Sequence, residues 1–189
     1  AALESCHGLD AADGSSVLSQ AESQVATVAE PESTSILASL SAAVATCRRR
    51  RQPLSLVILQ VDEFEELVFQ SGGLLASGFT QRLKAAAELF LESGQSALIS
   101  GEAQLALLLA GDDRLEAVAT ARLILDEARS GHLIALSGVG QPMSMSIGIA
   151  SVALPAKNFP ADDLQEAALR CLSAVQSCGG DNVKSIDVY

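Results

Sequence analysis

The sequence predicts an α/β (α+β) fold in which helices cover a central mixed β-sheet. Two short apolar runs, Leu54–Val61 and Leu105–Leu109, are bounded by turn residues, as strands buried on both faces are. Amphipathic helical patterns alternate with these runs along the chain. Hydrophobic residues make up 49% of the chain, and Trp is absent. A core is therefore expected, and it must be aliphatic.

Composition argues against several classes of function. With 189 residues, the chain is long enough for one domain and an appendage. The formal net charge of -11 disfavours binding to nucleic acid or to anionic membranes, because both need an excess of Lys and Arg. No apolar run is long enough for a membrane span, and the N-terminus lacks a signal-peptide pattern. Because the first residue is not Met, we expect a piece of a longer protein.

The cysteines predict reduced thiols. The four of them lack CxxC spacing and lie at Cys6, Cys47, Cys171 and Cys178. We expect free thiols in a cytoplasmic protein, and a disulfide framework is the alternative. Cys171 and Cys178 fall on one helical face, which predicts core packing rather than metal ligation.

The N-terminal part is predicted to be a linker followed by a helix. Residues 1–32 form the linker or the tail of an upstream domain, with a short helix at Ser15–Val28 as an option. Ser33 or Thr34 then caps a helix that runs to Arg51. Its apolar stripe consists of Ile36, Leu37, Leu40, Val44 and Cys47. The four arginines that end this helix complement its macrodipole, and a nucleic-acid patch is the alternative interpretation.

A strand, two helices and a hairpin follow Pro53. They are predicted at Leu54–Val61, Asp62–Leu67, Leu75–Leu91 and Leu98–Leu109. In the hairpin, Ser100, Gly101 and Glu102 are expected to form the turn, which places a polar tip at the rim of the sheet.

The C-terminal part is predicted from caps and strand patterns. A helix at Leu115–Arg129 starts at Asp112 and Asp113 and closes at Gly131. The later elements are a short strand at Leu133–Leu136, a strand at Met143–Val152 with one face in the core, a helix capped by Asp162 or Asp163 that ends before Gly179 and Gly180, and an edge strand at Val183–Val188.

The common catalytic motifs are missing from the sequence. It holds no P-loop, no dinucleotide-binding glycine pattern and no serine-hydrolase elbow. Of the two histidines, His7 and His132, the second is expected at a helix end or on the surface. The acidic cluster at 62–66 is interpreted as a solvated helix start, with a cation site as the alternative.

Four local sequences, in this order of elements, resemble the GGDEF domain of the diguanylate cyclase family over residues 33–188. They are PLSLVILQVDEF at 53–64, LALLLAG at 105–111, SIGIAS at 146–151, and the helix Ala168–Cys178 with the GGDNV that follows it. The resemblance implies a GGDEF-like domain at 33–189, with an N-terminal coupling helix and a sheet similar to the palm of nucleotide cyclases. It also implies cyclic di-GMP signalling. Active members join two GTP molecules, and acidic residues hold divalent cations against the triphosphate.

The acids of the family pattern are largely absent here. The GGDEF signature falls on Gly101, Glu102, Ala103, Gln104 and Leu105, so that the two acidic metal positions carry Ala103 and Gln104. Gln60 replaces the first Asp of the family's Asp-x-Asp, and Asp62 keeps the second. Further family positions have also changed; they carry Val68, Gly73, Ser77 and Gln176.

A second alignment frame moves the signature by one residue, to Ser100–Gln104. This frame restores one acid, Glu102, but it needs an extra residue before the apolar strand. The family's inhibitory Arg-x-x-Asp falls on Glu92 and Gln95, or on Leu91 and Gly94 in the second frame. Neither pair offers a bidentate guanidinium, so tight cyclic di-GMP binding is not expected. The sequence predicts no catalytic residue, no metal ligand and no cofactor.

The resulting hypothesis is a catalytically inactive GGDEF-like regulatory domain that acts through protein contacts. The helix Ser33–Arg51 is expected to couple it to an upstream domain, to a protein partner or to a second copy. One alternative is a sensor that binds GTP or cyclic di-GMP without turnover. Another is an active diguanylate cyclase with unorthodox ligands.

Overall fold

The computed structural model describes residues 32–70, 78–135 and 142–189. The strands are β1 Leu54–Val61, β2 Ser96–Gly101, β3 Gln104–Ala110, β4 Met145–Val152 and β5 Val183–Asp187. The helices are α1 Glu32–Arg50, α2 Phe64–Gln70, α3 Phe79–Glu88, α4 Arg114–Arg129, α5 His132–Ala135 and α6 Ala161–Ser177. The predicted linker at 1–32 lies almost entirely outside the described residues, as does the optional helix at Ser15–Val28.

The strands form one mixed sheet in the order β2-β3-β1-β4-β5, which confirms the predicted fold class. β1 pairs antiparallel with β3 on one side and with β4 on the other, while β4 and β5 are parallel. β5 lies at an edge, as predicted. The central strand β1 therefore has a hydrogen-bonded neighbour on each side, and its end at Gln60 lies beside Gln104 of β3 and Ser146 of β4.

Each face of the sheet carries its own core. Alternate residues of β1 point to opposite faces. Val57 and Leu59 belong to the cluster that includes residues of α3 and α4. Leu56 and Ile58 belong to the cluster that includes residues of α1 and α6. Burial on both faces explains why β1 is a nearly continuous apolar run.

Two helix ends form as the sequence predicts. The Asp113 side chain accepts hydrogen bonds from the backbone N–H groups of Leu115 and Glu116, and the Glu116 side chain accepts one from the Asp113 N–H, which makes a capping box. At the end of α6, the Gly179 N–H donates to Gln176 O and the Gly180 N–H to Val175 O. Both glycines have positive φ, so this end is a Schellman motif.

Several predicted boundaries and caps are wrong. The strand expected at Leu133–Leu136 is replaced by the short helix α5. α1 begins at Glu32, so Ser33 and Thr34 lie inside the helix rather than at its cap. The N-cap of α6 is Pro160, and Asp162 and Asp163 lie in the first turn instead.

Two burial predictions also need correction. β4 begins at Met145 and is buried along its whole length, not on one face only. Cys171 is buried as predicted, but Cys178 is exposed at the end of α6. In the described part of the chain, Cys47, Cys171 and Cys178 are free thiols. None of the helices in that part has the length and apolarity to cross a bilayer.

The close approach of β4 to α6 depends on Gly148. A methyl group built at this residue would lie 2.8 Å from Leu172 Cα and closer still to the carbonyl oxygen of Ala168. Both obstacles belong to the α6 backbone, which cannot rotate away as a side chain can. The small residue here therefore sets the spacing between helix and sheet.

We expect Gly148→Ala to lower the free energy of unfolding by about 3 kcal/mol, because the helix must move off the sheet. Urea denaturation followed by circular dichroism measures the change. Gly101→Ala is the matched control, since its methyl would meet nothing nearer than Gln104 side-chain atoms at 3.6 Å. Equal midpoints for the two variants would contradict the close-packing explanation.

Candidate functional site

The hairpin of β2 and β3 turns at Glu102 and Ala103. The predicted turn at Ser100, Gly101 and Glu102 is therefore misplaced, because Ser100 and Gly101 belong to β2. The register passes from Ile99 opposite Leu105 to Gly101 opposite Gln104, so Ser100 is an extra residue on β2. β3 pairs with β1 without interruption from Gln104 onward, and the irregularity lies on β2 alone.

Ala103 anchors the hairpin tip to the body of the domain. Its φ of 52° is left-handed, and its side chain is fully buried. Its N–H donates to Thr80 Oγ1 of α3 at 3.1 Å, and its carbonyl accepts from the Val61 N–H of β1 at 3.1 Å. The methyl group of Ala103 thus faces the core, whereas Glu102 is exposed.

Three neutral side chains form a hydrogen-bonded chain across the adjacent strands β2, β3 and β1. Ser100 Oγ donates to Gln104 Oε1 at 2.7 Å, and Gln104 Nε2 donates to Gln60 Oε1 at 2.7 Å. Gln60 and Gln104 are direct partners in the sheet register. Gln60 and Gln104 are amides, so these two positions, which the resemblance assigns to carboxylates, carry no charge.

The Asp62 carboxylate is engaged in structural hydrogen bonds. It accepts from Ser146 Oγ of β4 at 2.6 Å and from the Asp181 N–H at 3.0 Å. Its own N–H donates to Ser144 O at 3.0 Å. Ser146 is fully buried, so Asp62 supplies the partner that this hydroxyl needs. Asp62 therefore joins the end of β1 to β4 and to the turn after α6.

Arg129 extends this connection to α4. Its Nε lies 3.0 Å from the Asp181 carboxylate, and a terminal nitrogen donates to Asp181 O at 2.6 Å. The neighbouring Asp181 raises the pKa of the Arg129 guanidinium, which is charged in any case. Asp181 has a φ of 47°, and this left-handed residue is held from both sides, by Arg129 and by Asp62.

A cleft of about 610 Å³ opens beside these groups. Its described lining residues are Gln60, Val61, Asp62, Glu63, Phe64, Glu65, Glu102, Gln176, Gly179 and Gly180. Four of them are carboxylates, and none is Lys or Arg. We refer to it below as the acidic cleft.

These residues do not fit the divalent cation that the resemblance implies. Mg²⁺ needs several hard oxygen ligands in a tight octahedral arrangement. Gln60 and Gln104 are paired to each other, Asp62 is hydrogen-bonded to Ser146, and Ala103 offers no ligand. In residues 32–70, 78–135 and 142–189, no group of three or more His, Cys, Asp or Glu side chains is close enough to hold an ion.

The other predicted site positions do not take part in the hydrogen bonds of Gln60, Gln104 and Asp62. Val68 is on α2 and packs partly against the core, and Gln176 lines the acidic cleft near the end of α6. Gly73 and Ser77 lie outside the described residues.

The positions assigned to the inhibitory site follow α3, at the end of the sheet opposite the acidic cleft. Gln95 Oε1 accepts from the Glu92 N–H at 2.9 Å, and Gln95 Nε2 donates to Asp112 Oδ1 at 2.8 Å. Burial raises the pKa of Asp112, and the negative charges of Glu116, Glu92 and Asp113 add to the effect. Whichever frame is used, acidic groups surround this turn, and its hydrogen bonds are internal.

Sequence analysis missed the partners that organise the site. None of the hydrogen bonds of Ser100, Thr80 and Ser146 was predicted, yet these bonds hold Gln104, the Ala103 N–H and Asp62. Ser146 carried a usable signal, because a serine inside a largely apolar strand needs a hydrogen-bond partner when it is buried. The sequence did not predict the strand order that brings Asp62, the residue after β1, beside Ser146.

Comparison with known proteins gives a likeness of structure. No family model matches the sequence, and no curated protein sequence matches it. The GGDEF domain of FimX from Pseudomonas aeruginosa superposes with a TM-score of 0.67 at 23% identity, covering 81% of this chain and 92% of that one. The GGDEF domain of DgcB from Caulobacter crescentus, solved with c-di-GMP, gives 0.67 at 16%, covering 80% and 88%.

A third similar structure includes a protein partner. The diguanylate cyclase SiaD from Pseudomonas aeruginosa, solved in complex with its activator SiaC, has a TM-score of 0.66 at 18% identity. The match covers 81% of this chain and 57% of that one. At these identities the likeness concerns the fold.

We expect Asp62→Ala to lower the free energy of unfolding by about 2 kcal/mol, because it leaves the buried Ser146 hydroxyl and the Asp181 N–H without their acceptor. Urea denaturation measures the loss. Glu102→Ala removes an exposed carboxylate from the same cleft and is expected to change stability by less than about 0.5 kcal/mol. A loss of the same size in both variants would show that the Asp62 hydrogen bonds do not stabilise the fold.

Proposed function

We propose that this chain, which has a GGDEF-like fold, is a regulatory domain without cyclase activity that acts through protein–protein contacts. The observation that carries the proposal is the neutral chain from Ser100 through Gln104 to Gln60. It occupies the strand ends where the family resemblance expects carboxylates and a bound cation. With these amides hydrogen-bonded to each other, the strand ends provide no anionic ligand pair for Mg²⁺.

Electrostatics supports the loss of nucleotide turnover. A triphosphate entering the acidic cleft meets Glu63, Glu65 and Glu102 without a described Lys or Arg to offset them. Two like unit charges about 4 Å apart repel by about 4 kcal/mol at an effective dielectric constant of about 20. Only a bound cation would reverse this repulsion, and the cleft lacks the ligand set to hold one.

Contact with a protein partner is the route of action that we propose. α1 lies on the sheet face with Ile36, Leu40 and Val44 buried, and it is the element closest in sequence to any upstream domain. The complex of SiaD with its activator is a precedent for regulation of a similar fold by a bound protein. We propose a protein partner or a second copy at the helix predicted over Ser33–Arg51, and a cytoplasmic setting that keeps the three described cysteines reduced.

A nucleotide sensor is the second candidate, because the cleft of about 610 Å³ is large enough for a small ligand. In this case the domain would bind GTP or cyclic di-GMP without turnover. The c-di-GMP complex of DgcB concerns a domain of similar fold and motivates this comparison. An active diguanylate cyclase is the third candidate, and it needs metal ligands that the strand ends do not offer.

Isothermal titration with GTP and with cyclic di-GMP, each with Mg²⁺ or Mn²⁺, separates these functions. We expect no saturable heat up to about 1 mM nucleotide, which corresponds to binding weaker than about 4 kcal/mol. We also expect no cyclic di-GMP by chromatography after long incubation with GTP, with an active diguanylate cyclase assayed in parallel. Saturation at micromolar nucleotide would favour the sensor, and product formation would favour the enzyme.

Restoring charge at the strand ends tests the role of the amides. In the double variant Gln60→Asp/Gln104→Glu, two carboxylates face each other across β1 and β3. We expect its Tm to fall by about 3 °C in chelator, because facing like charges repel, and to recover when Mn²⁺ is added. The wild type and the single variant Gln176→Glu, in the same cleft, should not respond to Mn²⁺. A double variant equally insensitive to Mn²⁺ would show that neutral side chains are not what excludes the metal.

A further inference from the structure

Four consecutive arginines form a concentrated positive surface on an acidic protein. The chain has 23 Asp and Glu against 12 Lys and Arg, and Arg48–Arg51 supply a third of these cations. Arg49, Arg50 and Arg51 are exposed. Arg48 donates to the carbonyl oxygen of Lys157 at 2.6 Å, and Arg49 donates to Thr46 Oγ1 at 3.1 Å. We call Arg48–Arg51 with Lys157 the arginine surface.

None of these guanidinium groups pairs with a carboxylate within the described ranges, whereas other cations of the domain do. Arg114 pairs with Asp187, and Arg129 pairs with Asp181. The chain has nearly twice as many acids as bases, yet the arginine surface, at the end of α1, takes part in none of the ion pairs of the described residues.

Stabilisation of α1 does not account for all four arginines. The macrodipole corresponds to about half a charge and acts only within the last turn. Arg51 lies beyond α1, with a φ of 53°. The Gln52 N–H donates to Cys47 O and the Arg51 N–H to Arg48 O, so Arg51 occupies the position of a Schellman motif where glycine is usual. A left-handed arginine costs about 1 kcal/mol relative to glycine, and Arg51 stands at this position despite that cost.

We infer that the arginine surface docks an acidic, carboxylate-bearing segment of a protein partner. Guanidinium groups bind carboxylates in a bidentate manner. The surface also offers an apolar anchor, because Leu154 is 57% exposed in the loop that carries Lys157, and Arg48 ties this loop to the end of α1. Arginine is enriched in protein interfaces and among their hot spots.

The net negative charge of the chain disfavours binding of the arginine surface to large polyanions. A duplex or a lipid surface extends far beyond five cationic side chains and meets the remaining surface of a protein with a net charge of -11. A short acidic segment engages the arginine surface alone. The inference rests on the proposed action through protein contacts, but it is tested separately, because its readout is peptide binding that depends on the arginines and not nucleotide binding or turnover.

The test measures binding of the full chain to a fluorescein-labelled peptide of about 15 residues, composed of Asp and Glu with two Leu, by fluorescence anisotropy at about 50 mM salt. The triple variant Arg49→Gln/Arg50→Gln/Arg51→Gln should bind at least about ten-fold more weakly. The control Arg122→Gln/Arg170→Gln/Lys184→Gln changes net charge equally at exposed positions elsewhere and should stay within about two-fold. Urea denaturation verifies that both variants fold.

Leu154→Ser tests the apolar anchor and should weaken peptide binding about three-fold or more. The inference is overturned if the wild type does not bind the peptide, if both triple variants lose affinity equally, or if Leu154→Ser has no effect. It is also overturned if duplex DNA or phosphatidylserine vesicles bind more tightly than the peptide, which would assign the surface to a polyanion. Sedimentation showing self-association that the arginine triple variant abolishes would assign it to a second copy.

Discussion

The position of β1 in the middle of the sheet constrains everything around it. Its backbone pairs with β3 and β4, and its side chains are buried by helices on both faces. Its register is fixed by the hydrogen-bond ladders to β3 and β4 and by the shapes of the two cores that pack on its faces. The residues at its end, Gln60 and Asp62, are therefore presented at fixed positions, and the character of the site depends on which side chains stand there.

In this chain, the side chains at those fixed positions form hydrogen bonds between neighbouring strands. Carboxylates gathered at strand ends repel each other until a cation neutralises them, and such sites are commonly held at a cost in stability. Gln104 and Gln60 remove the repulsion and satisfy each other. Asp62, the residue after β1, accepts hydrogen bonds from Ser146 and from the N–H of Asp181, whose side chain Arg129 holds from α4. Hydrogen bonds among Gln60, Gln104, Asp62 and Ser146 therefore hold this rim of the sheet together.

The sequence was most informative where one physical signal dominates. β1 and β3 were predicted because long aliphatic runs have few alternatives, and the cap at Asp113 because its capping box is local. Leu133–Leu136 failed because a four-residue apolar run does not distinguish a strand from a helical turn. The alternation of apolar with small residues in β4 predicts one exposed face. That face is buried, because a residue without a side chain at Gly148 lets α6 pack directly against the strand. The pairing of Gln60 with Gln104 joins residues far apart in sequence and became visible only through sheet register.

The same strand also separates the acidic cleft from the arginine surface. The acidic cleft lies at the C-terminal end of β1, and the arginine surface precedes its N-terminal end. A strand of eight residues is about 26 Å long. The Debye length at physiological salt is about 8 Å, so dissolved ions largely screen the charges of the acidic cleft from those of the arginine surface. If the proposed acidic segment binds the arginine surface, the acidic cleft repels that segment, so electrostatics favours one binding place on the domain over the other.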